Sequence, residues 1–510
     1  MKSRSESFVM AMTLVVGLVV PLGLAAQNQS KSSPKHHHYQ LIDMGTFGGP
    51  QSYLFAFLGI GRPLNSHGVV AGWADTSAPD PFPSCFNGDC YVSHGYQWRN
   101  GARTELATLA GGSDEVVAIS DSGLMVGDGE NGELDPLVPD LPQIHGTLWR
   151  NGELVDVGTW PAGGYETLSS AVNSRGQVAG FATNTVPDPN GMLGYFGSYP
   201  YQSRAFLWED GVMQDLGTLG NGTDAQASFI NERGQVVGWS YTSSAPGACN
   251  INDLGGGFPL TTGSFIWDKE TGMTDLGGLG GTCTGAFGMN NLGQVVGESN
   301  TTGDRAVHPF VWDSANGLTD LGVLGGKYGQ ALEINEHGQI AGGSTLSGNV
   351  CCGAILWQQR AGKWRKTSLG FTLGAIFSFA TAINASGQVV GSLGYDQGPG
   401  AFLWENGGPM VDLNGLVSPG SGLTISEALA VNDRGEMAVN AHDASGNDHA
   451  LLLIPCDENH PGVEGCDYSL VDSTVTSPDP APRDATSGTE RASRSGSNRF
   501  HIPGSLSAPR

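Results

Sequence analysis

The sequence predicts an all-β fold, a β-propeller of about eight four-stranded blades closed by its own N-terminal strand, on three observations. Glycine supplies 79 of 510 residues and charged side chains only 14%, a balance that suits many short strands joined by tight turns. Two short motifs alternate from end to end. Finally, the first and last copies of the repeat are incomplete in complementary ways.

The first motif, Ile-Asn-x-x-Gly-Gln-Val-Val-Gly, recurs eight times, with its second residue at Asn65, Ser120, Asn173, Asn231, Asn290, Asn335, Asn384 and Asn432. The second is Ala-Phe-Leu-Trp followed by a glycine turn and Asp-Leu-Gly, with tryptophans at positions 98, 149, 208, 267, 312, 357 and 404. The spacing of roughly 52 residues falls in the range of propeller and solenoid repeats. Residues 205–240 hold the best-formed copy. Asn231 opens a type I turn because its side chain can bond the turn's own amides, and Gly234 closes it at positive φ. Valine-rich 235–240 follows as a strand. Residues 205–208 form a strand filled on both faces, ending in Trp208. Asp210-Gly211 is a hairpin signal leading into a fourth strand that carries Asp215.

Such a unit cannot bury both faces alone and must pack on copies of itself. Residues 39–49 match the fourth strand and its following loop without a blade of their own. The last copy has three strands, the third at 449–454, and no fourth. Together they make one blade and close a ring over 39–455. An open β-solenoid is the competing architecture, and complementary ends would serve no purpose in it.

The recurring Ala/Pro-Phe-Leu/Val-Trp, Asp-Leu-Gly-x-Leu-Gly-Gly and Ile-Asn-x-x-Gly-Gln-Val-Val-Gly segments resemble the extracellular HAF-repeat family of bacterial proteins, named for a His-Ala-Phe triplet. His308-Pro309-Phe310 and His449-Ala450-Leu451 come closest to the triplet itself. The resemblance covers nearly all of 39–455. It implies secretion and a repeat fold, and carries no catalytic residues.

Outside the repeats, Lys2 and Arg4 precede an apolar run to Leu24 and small residues at Ala25 and Ala26, the pattern of a signal peptide over 1–26. The run is short and broken by Pro21, which argues against a membrane anchor; no cysteine follows it to take a lipid. Residues 27–38 read as a flexible lead-in whose His36-His37-His38 triplet is expected to be inert. The Ser-, Pro- and Arg-rich stretch 467–510 reads as a disordered tail.

Eight cysteines fit an oxidising, secreted or periplasmic location. Proximity favours Cys85 with Cys90 and Cys456 with Cys466, the latter closing a small loop over 456–466. Cys249 with Cys283 is next, and adjacent Cys351 and Cys352 form either a vicinal bond or two separate ones. These thiols are too scattered for a zinc site. The net charge of −25 repels phosphate backbones, so nucleic acid is not expected as a partner.

Residues present in every copy are explained by packing. Trp208, Asp215, Asn231 and Gly234 therefore read as structural, as do the equivalent aspartates 43, 156, 275, 320 and 412, with a shared calcium role as the alternative. No cofactor is expected. Function is sought where copies differ, in the enlarged loops at 74–93, 128–145, 181–203 and 239–262. Propeller topology gathers these on one face. They carry Trp73, Phe86, Tyr91, Tyr195, Tyr199, Tyr201, Trp239 and Tyr241, rings suited to stacking on sugars or gripping a peptide; packing the loops down is the plainer role for them. No Gly-x-Ser-x-Gly, His-Glu-x-x-His or phosphate-cradling motif is present, so no catalytic residue is assigned. The acidic pairs Asp114/Glu115 and Glu130/Glu133 could serve a glycosidase or a metal site, but solvated acidic loops are expected. A non-catalytic scaffold binding an extracellular glycan or protein is the first expectation. A propeller hydrolase or lyase acting on polysaccharide is the second, and a structural envelope or matrix component the third.

Overall fold

The computed structural model describes residues 35–473 apart from 57–59, 83–84, 111, 138, 140–141, 192–200, 244–248, 252–255, 259 and 470. The signal peptide and most of the tail lie outside the described residues. Each repeat folds as an antiparallel four-stranded sheet, and eight such sheets follow one another around a ring. In blade 1 the strands, a to d from the axis outward, are Gly48–Tyr53, Val70–Pro79, Tyr91–Arg99 and Ala102–Glu105. Blades 2 to 7 span 114–158, 167–215, 225–275, 280–320, 325–370 and 377–412. Blade 8 takes strands a to c from Thr424–Val431, Met437–His442 and Asp448–Pro455, and its strand d is Tyr39–Asp43. That N-terminal strand pairs antiparallel with the last one, from Tyr39 opposite Pro455 to Asp43 opposite Leu451, so the ring closes as the incomplete end repeats require.

The apolar stripes meet between blades, and each of the eight seams holds its own buried cluster. Between blades 2 and 3, for instance, Val126 and Leu148 pack on Val178, Phe206 and Trp208. The closing seam does the same with Leu429, Ala438 and Leu452 against Leu54, Val70 and Trp98. The strand c tryptophans are inter-blade anchors. The Trp149 and Trp357 indoles also donate to the Ala107 and Gly322 carbonyls of the preceding blades.

The a–b turns explain the first motif. Asn231 Oδ1 accepts from the amides of Arg233 and Gln235, and Gly234, at φ +80, closes the turn on the Asn231 carbonyl. The side-chain amide then leaves the blade. Asn231 Nδ2 donates to the Asn290 carbonyl of blade 5, Asn290 to Asn335, Asn335 to Asn384, Asn384 to Asn432, and Asn432 to Asn65, across the closing seam. Asn65 donates to the Ser120 carbonyl and Asn173 to that of Asn231. Blade 2 alone has serine in this place, and its link to blade 3 comes from Ser122 Oγ on the Ser174 carbonyl. The last glycine of the motif has a separate cause. Strand a bulges between Ala227 and Phe229, and a Cβ on Gly238 would run into the Gln226 carbonyl.

All four expected disulfides form, Cys85–Cys90, Cys249–Cys283, the vicinal Cys351–Cys352 and Cys456–Cys466. The segments expected to be a flexible lead-in and a disordered tail differ from that expectation where they meet the ring. Lys35–His37 pairs with Val471–Ser473 as a two-stranded ribbon. His36 is buried, and its Nδ1 lies 2.9 Å from Glu405 Oε1. The histidine triplet is thus partly structural, because His36 is held in this ribbon against Glu405 of blade 7. Among the described residues no helix is long and apolar enough to cross a membrane.

Asn432→Ala would orphan two turn amides and remove the inter-blade bond to the Asn65 carbonyl at the closing seam, and should cost about 2–4 kcal/mol in denaturant unfolding. Ser120→Asn should be neutral or stabilise by about 1 kcal/mol; a loss of stability would show that the asparagines act only within their own turns.

Candidate functional site

Hairpins b–c and loops d–a share one face, and blades 1 to 3 build it up in the same way. Their b strands run ten residues, Val70–Pro79, Met125–Leu134 and Val178–Pro187. Each sheet bulges, then resumes pairing at Pro79 with Tyr91, Leu134 with Pro142 and Pro187 with Tyr201. Asn131 on Gln143 and Asn184 on Gln202 brace two of these extensions. Blade 4 adds the small Cys249–Ile251 and Gly256–Phe258 ribbon, tied to blade 5 by Cys249–Cys283. In blades 5 to 8 strand b ends by Thr301, Leu346, Tyr395 and His442. The rim is therefore raised on one half only.

The rings expected on this rim turn mostly inward. Trp73, Phe86 and Tyr241 are buried, which corrects their assignment as ligand contacts, since no ring face is left to present. Tyr241 Oη donates to the Asn190 carbonyl, so blade 4 leans on the blade 3 loop. Trp239 is half-buried, edge-on to Phe287, with its indole N–H on Ser228. Tyr91 and Tyr201 keep partial exposure on the extensions. Tyr195 and Tyr199 lie outside the described residues.

What the rings support is a buried polar cluster on blade 1. Trp73 stacks on Tyr53, with centroids 5.6 Å apart and planes at 26°. The Tyr53 hydroxyl lies 3.3 Å from Asp89 Oδ2, which also accepts from Gln51 Nε2 at 2.7 Å. Asp75, fully buried, accepts from the Gln51 amide at 3.0 Å, while its Oδ1 has no partner of ordinary hydrogen-bond geometry. Gln51 Oε1 accepts from the Asp448 amide of blade 8, which ties the cluster to the closing seam. Burial and the neighbouring Asp89 carboxylate push the Asp75 carboxyl up to about 8, so at neutral pH it keeps a proton beside its half-buried neighbour.

Asp114, Glu115 and Glu130 correct the expectation of solvated acidic loops. They lie buried in strands of blade 2, and only Glu133 is exposed. The reason is a recurrent job at the seams. A residue at the start of strand a accepts a strand c amide of the preceding blade: Asp114 from Gly95, Glu166 from Ile144 and Asp224 from Ser203. Ser52 and Ser378 do the same work elsewhere without charge. Burial raises Asp114 and Asp128 well above the carboxylate range, Glu115 and Glu130 to about 8 and Glu166 to about 10. Among the described residues no group of three His, Cys, Asp or Glu side chains is placed to hold a metal.

On the same face, the Asp-Leu-Gly aspartates cap their own turns, as Asp215 does with the Gly217 amide. Their other partner went unread in the sequence. It is the strand c residue two before the aromatic position: His145 on Asp156, Arg204 on Asp215, His308 on Asp320 and His449 on Asp43. His94 on Glu105 completes the set. A histidine thus takes this position in four blades, at 94, 145, 308 and 449, and the glycines after His94 and His145 hid the first two in the sequence. The charge pair cross-braces strands c and d at the rim.

No family model matches the chain, and no curated protein does. Among solved structures it is similar to the β-propeller domain of the Trilobed protease from Pyrococcus furiosus, at 11% identity and a TM-score of 0.29, covering 62% of this chain and 97% of that one. It is also similar to the GH74 enzyme of Niastella koreensis, at 11% identity and a TM-score of 0.23, covering 71% and 70%.

The pH dependence follows from the signs of these shifts. Asp75, Glu115, Glu130 and Glu166 have folded pKa values above their unfolded ones near 4. Their stabilisation is whole below about pH 4 and drains as pH rises through 8. Asp156 and Asp320, held low by His145 and His308 once desolvation is overcome, act oppositely and lose their contribution only as pH falls below 4. Thermal melts should peak between about pH 4 and 6 and decline toward pH 9, with a shallower decline in Glu115→Gln/Glu130→Gln.

Proposed function

We propose that the protein is a secreted, non-catalytic propeller of the HAF-repeat type that binds an extracellular glycan or protein on the raised half of its rim. The observation that carries this is the repetition of one device. Blades 1 to 3 each extend the b–c hairpin past a bulge by a re-paired strand, and the seams beneath are stiffened by buried acids. Material added in register to three consecutive blades gives a raised, strand-braced surface on one half of the rim, and enlarged loops held on a rigid scaffold are where binding residues concentrate. Four disulfides and a leader-like N-terminus support an extracellular setting.

Replacing 132–142 and 185–201 with two-residue Asn-Gly turns keeps the ladders below intact. Retention of the protein on a panel of immobilised β-glucan, xylan, chitin and secreted-protein peptides should fall at least tenfold, with the thermal midpoint nearly unchanged. An identical retention profile with and without the extensions would overturn the reading.

A further inference from the structure

We propose a second binding site, for an anionic polysaccharide, on the outer edge of blade 6, away from the raised rim and independent of the function proposed for it. The outermost strand of this blade, Lys363–Gly370, is eight residues long. The corresponding strands of blades 1, 3, 4 and 5 have four. No strand pairs with its outer side among the described residues. It reads Lys-Trp-Arg-Lys from position 363, and with Arg360 across the hairpin it gathers four cations within seven residues. Arg360, Lys363, Arg365 and Lys366 are all exposed. No Asp or Glu occurs from His337 to Tyr395, although the whole chain carries a net charge of −25.

Pairing places these groups. Arg360 is opposite Lys363 and Gln358 opposite Arg365, so Arg360, Lys363 and Arg365 share one side of the sheet, at steps of about 7 Å along the strand. Lys366 points to the other side and is spent on the Val323 carbonyl. On that side Gln359 is opposite Trp364. They line a cleft of about 200 Å³ with Gln294, Glu336 and His337 from the a–b turns of blades 5 and 6. Trp364 is half-buried, packed against the seam cluster of Ile340, Ile355 and Trp357.

Lysine on a strand edge is commonly a guard against pairing with other chains. That role needs neither a sequence run without Asp or Glu from His337 to Tyr395 nor an indole set among amide and imidazole side chains. Those groups are the ones that meet a sugar, by stacking on the ring and bonding its hydroxyls. The cation row meets the acid groups of a linear polymer. Screening over about 8–10 Å lets this sector act despite the net charge of the molecule.

The test is retention of the full chain on immobilised polygalacturonate, dextran sulfate, uncharged dextran, poly-glutamate and single-stranded DNA. Binding to one or both acidic polysaccharides is expected, stronger than to any other matrix and weakening with salt. The stronger of the two identifies the acid group as carboxylate or sulfate. Lys363→Glu/Arg365→Glu should weaken it at least tenfold, whereas Lys269→Glu, an exposed change on blade 4, should leave it unchanged; melting curves confirm that each variant is folded. Gln359→Ala should lower affinity for the acidic polysaccharides and not for poly-glutamate. Equal retention on poly-glutamate or DNA, preference for uncharged dextran, or unchanged binding by the charge-reversed variant would overturn the proposal.

Discussion

The belt of asparagine side chains on the a–b face is the interaction on which the rest of the ring depends. A propeller blade has no intrinsic reason to stop at one orientation to its neighbour, because an apolar seam is tolerant of small rotations. A hydrogen bond from each buried amide to the next blade's turn carbonyl is not. Seven such bonds, one of them across the join between Asn432 and Asn65, fix the angular step near the axis. The seam clusters then fill whatever gap that step leaves. The bond is inexpensive in sequence, since the same asparagine also closes its own turn.

A fixed step on one face leaves the opposite face free to vary, and variation is where the two ends of the molecule part company. On the rim side the strand-start acceptors Asp114, Glu166 and Asp224 replace the serines used at blades 1 and 7. Carboxylates sunk between sheets accept a stronger hydrogen bond than a hydroxyl does, but only by holding a proton or bearing the cost of a buried charge. The raised half of the rim therefore rests on chemistry that is sensitive to pH, whereas the belt below contains mainly neutral amides.

Most of the ring was legible in the sequence because repetition separates what packing needs from what it does not. Trp208, Asn231 and Gly234 recur at fixed offsets, and each offset has one steric or hydrogen-bonding explanation. The half-strand at 39–43 could be matched to its missing blade for the same reason. The site was less legible. Trp73 and Tyr241 stand where strand b, Val70–Pro79 and Val236–Tyr241, runs into segments that vary, which marks them as special without saying which way a ring points; both rings are buried. Asp114 and Glu115 looked solvated because they are adjacent and acidic, and nothing local announces that a neighbouring blade will supply an amide. Asp75 lies in a strand and Asp89 within the Cys85–Cys90 loop that follows it, and only the fold brings them together.

The strand Tyr39–Asp43 leaves the ribosome before any blade and finds its partner, Asp448–Pro455, only when the last one exists. Until then blade 8 cannot form, the seam between blades 8 and 1 stays open, and apolar surfaces such as Leu54 and Leu452 face water. Folding of the complete ring is thus held to the end of the chain: a truncated product lacking its final strands has two unprotected sheet edges and no means of covering either. The same join that makes the finished molecule a circle without ends makes every unfinished copy adhesive, and discards it from use.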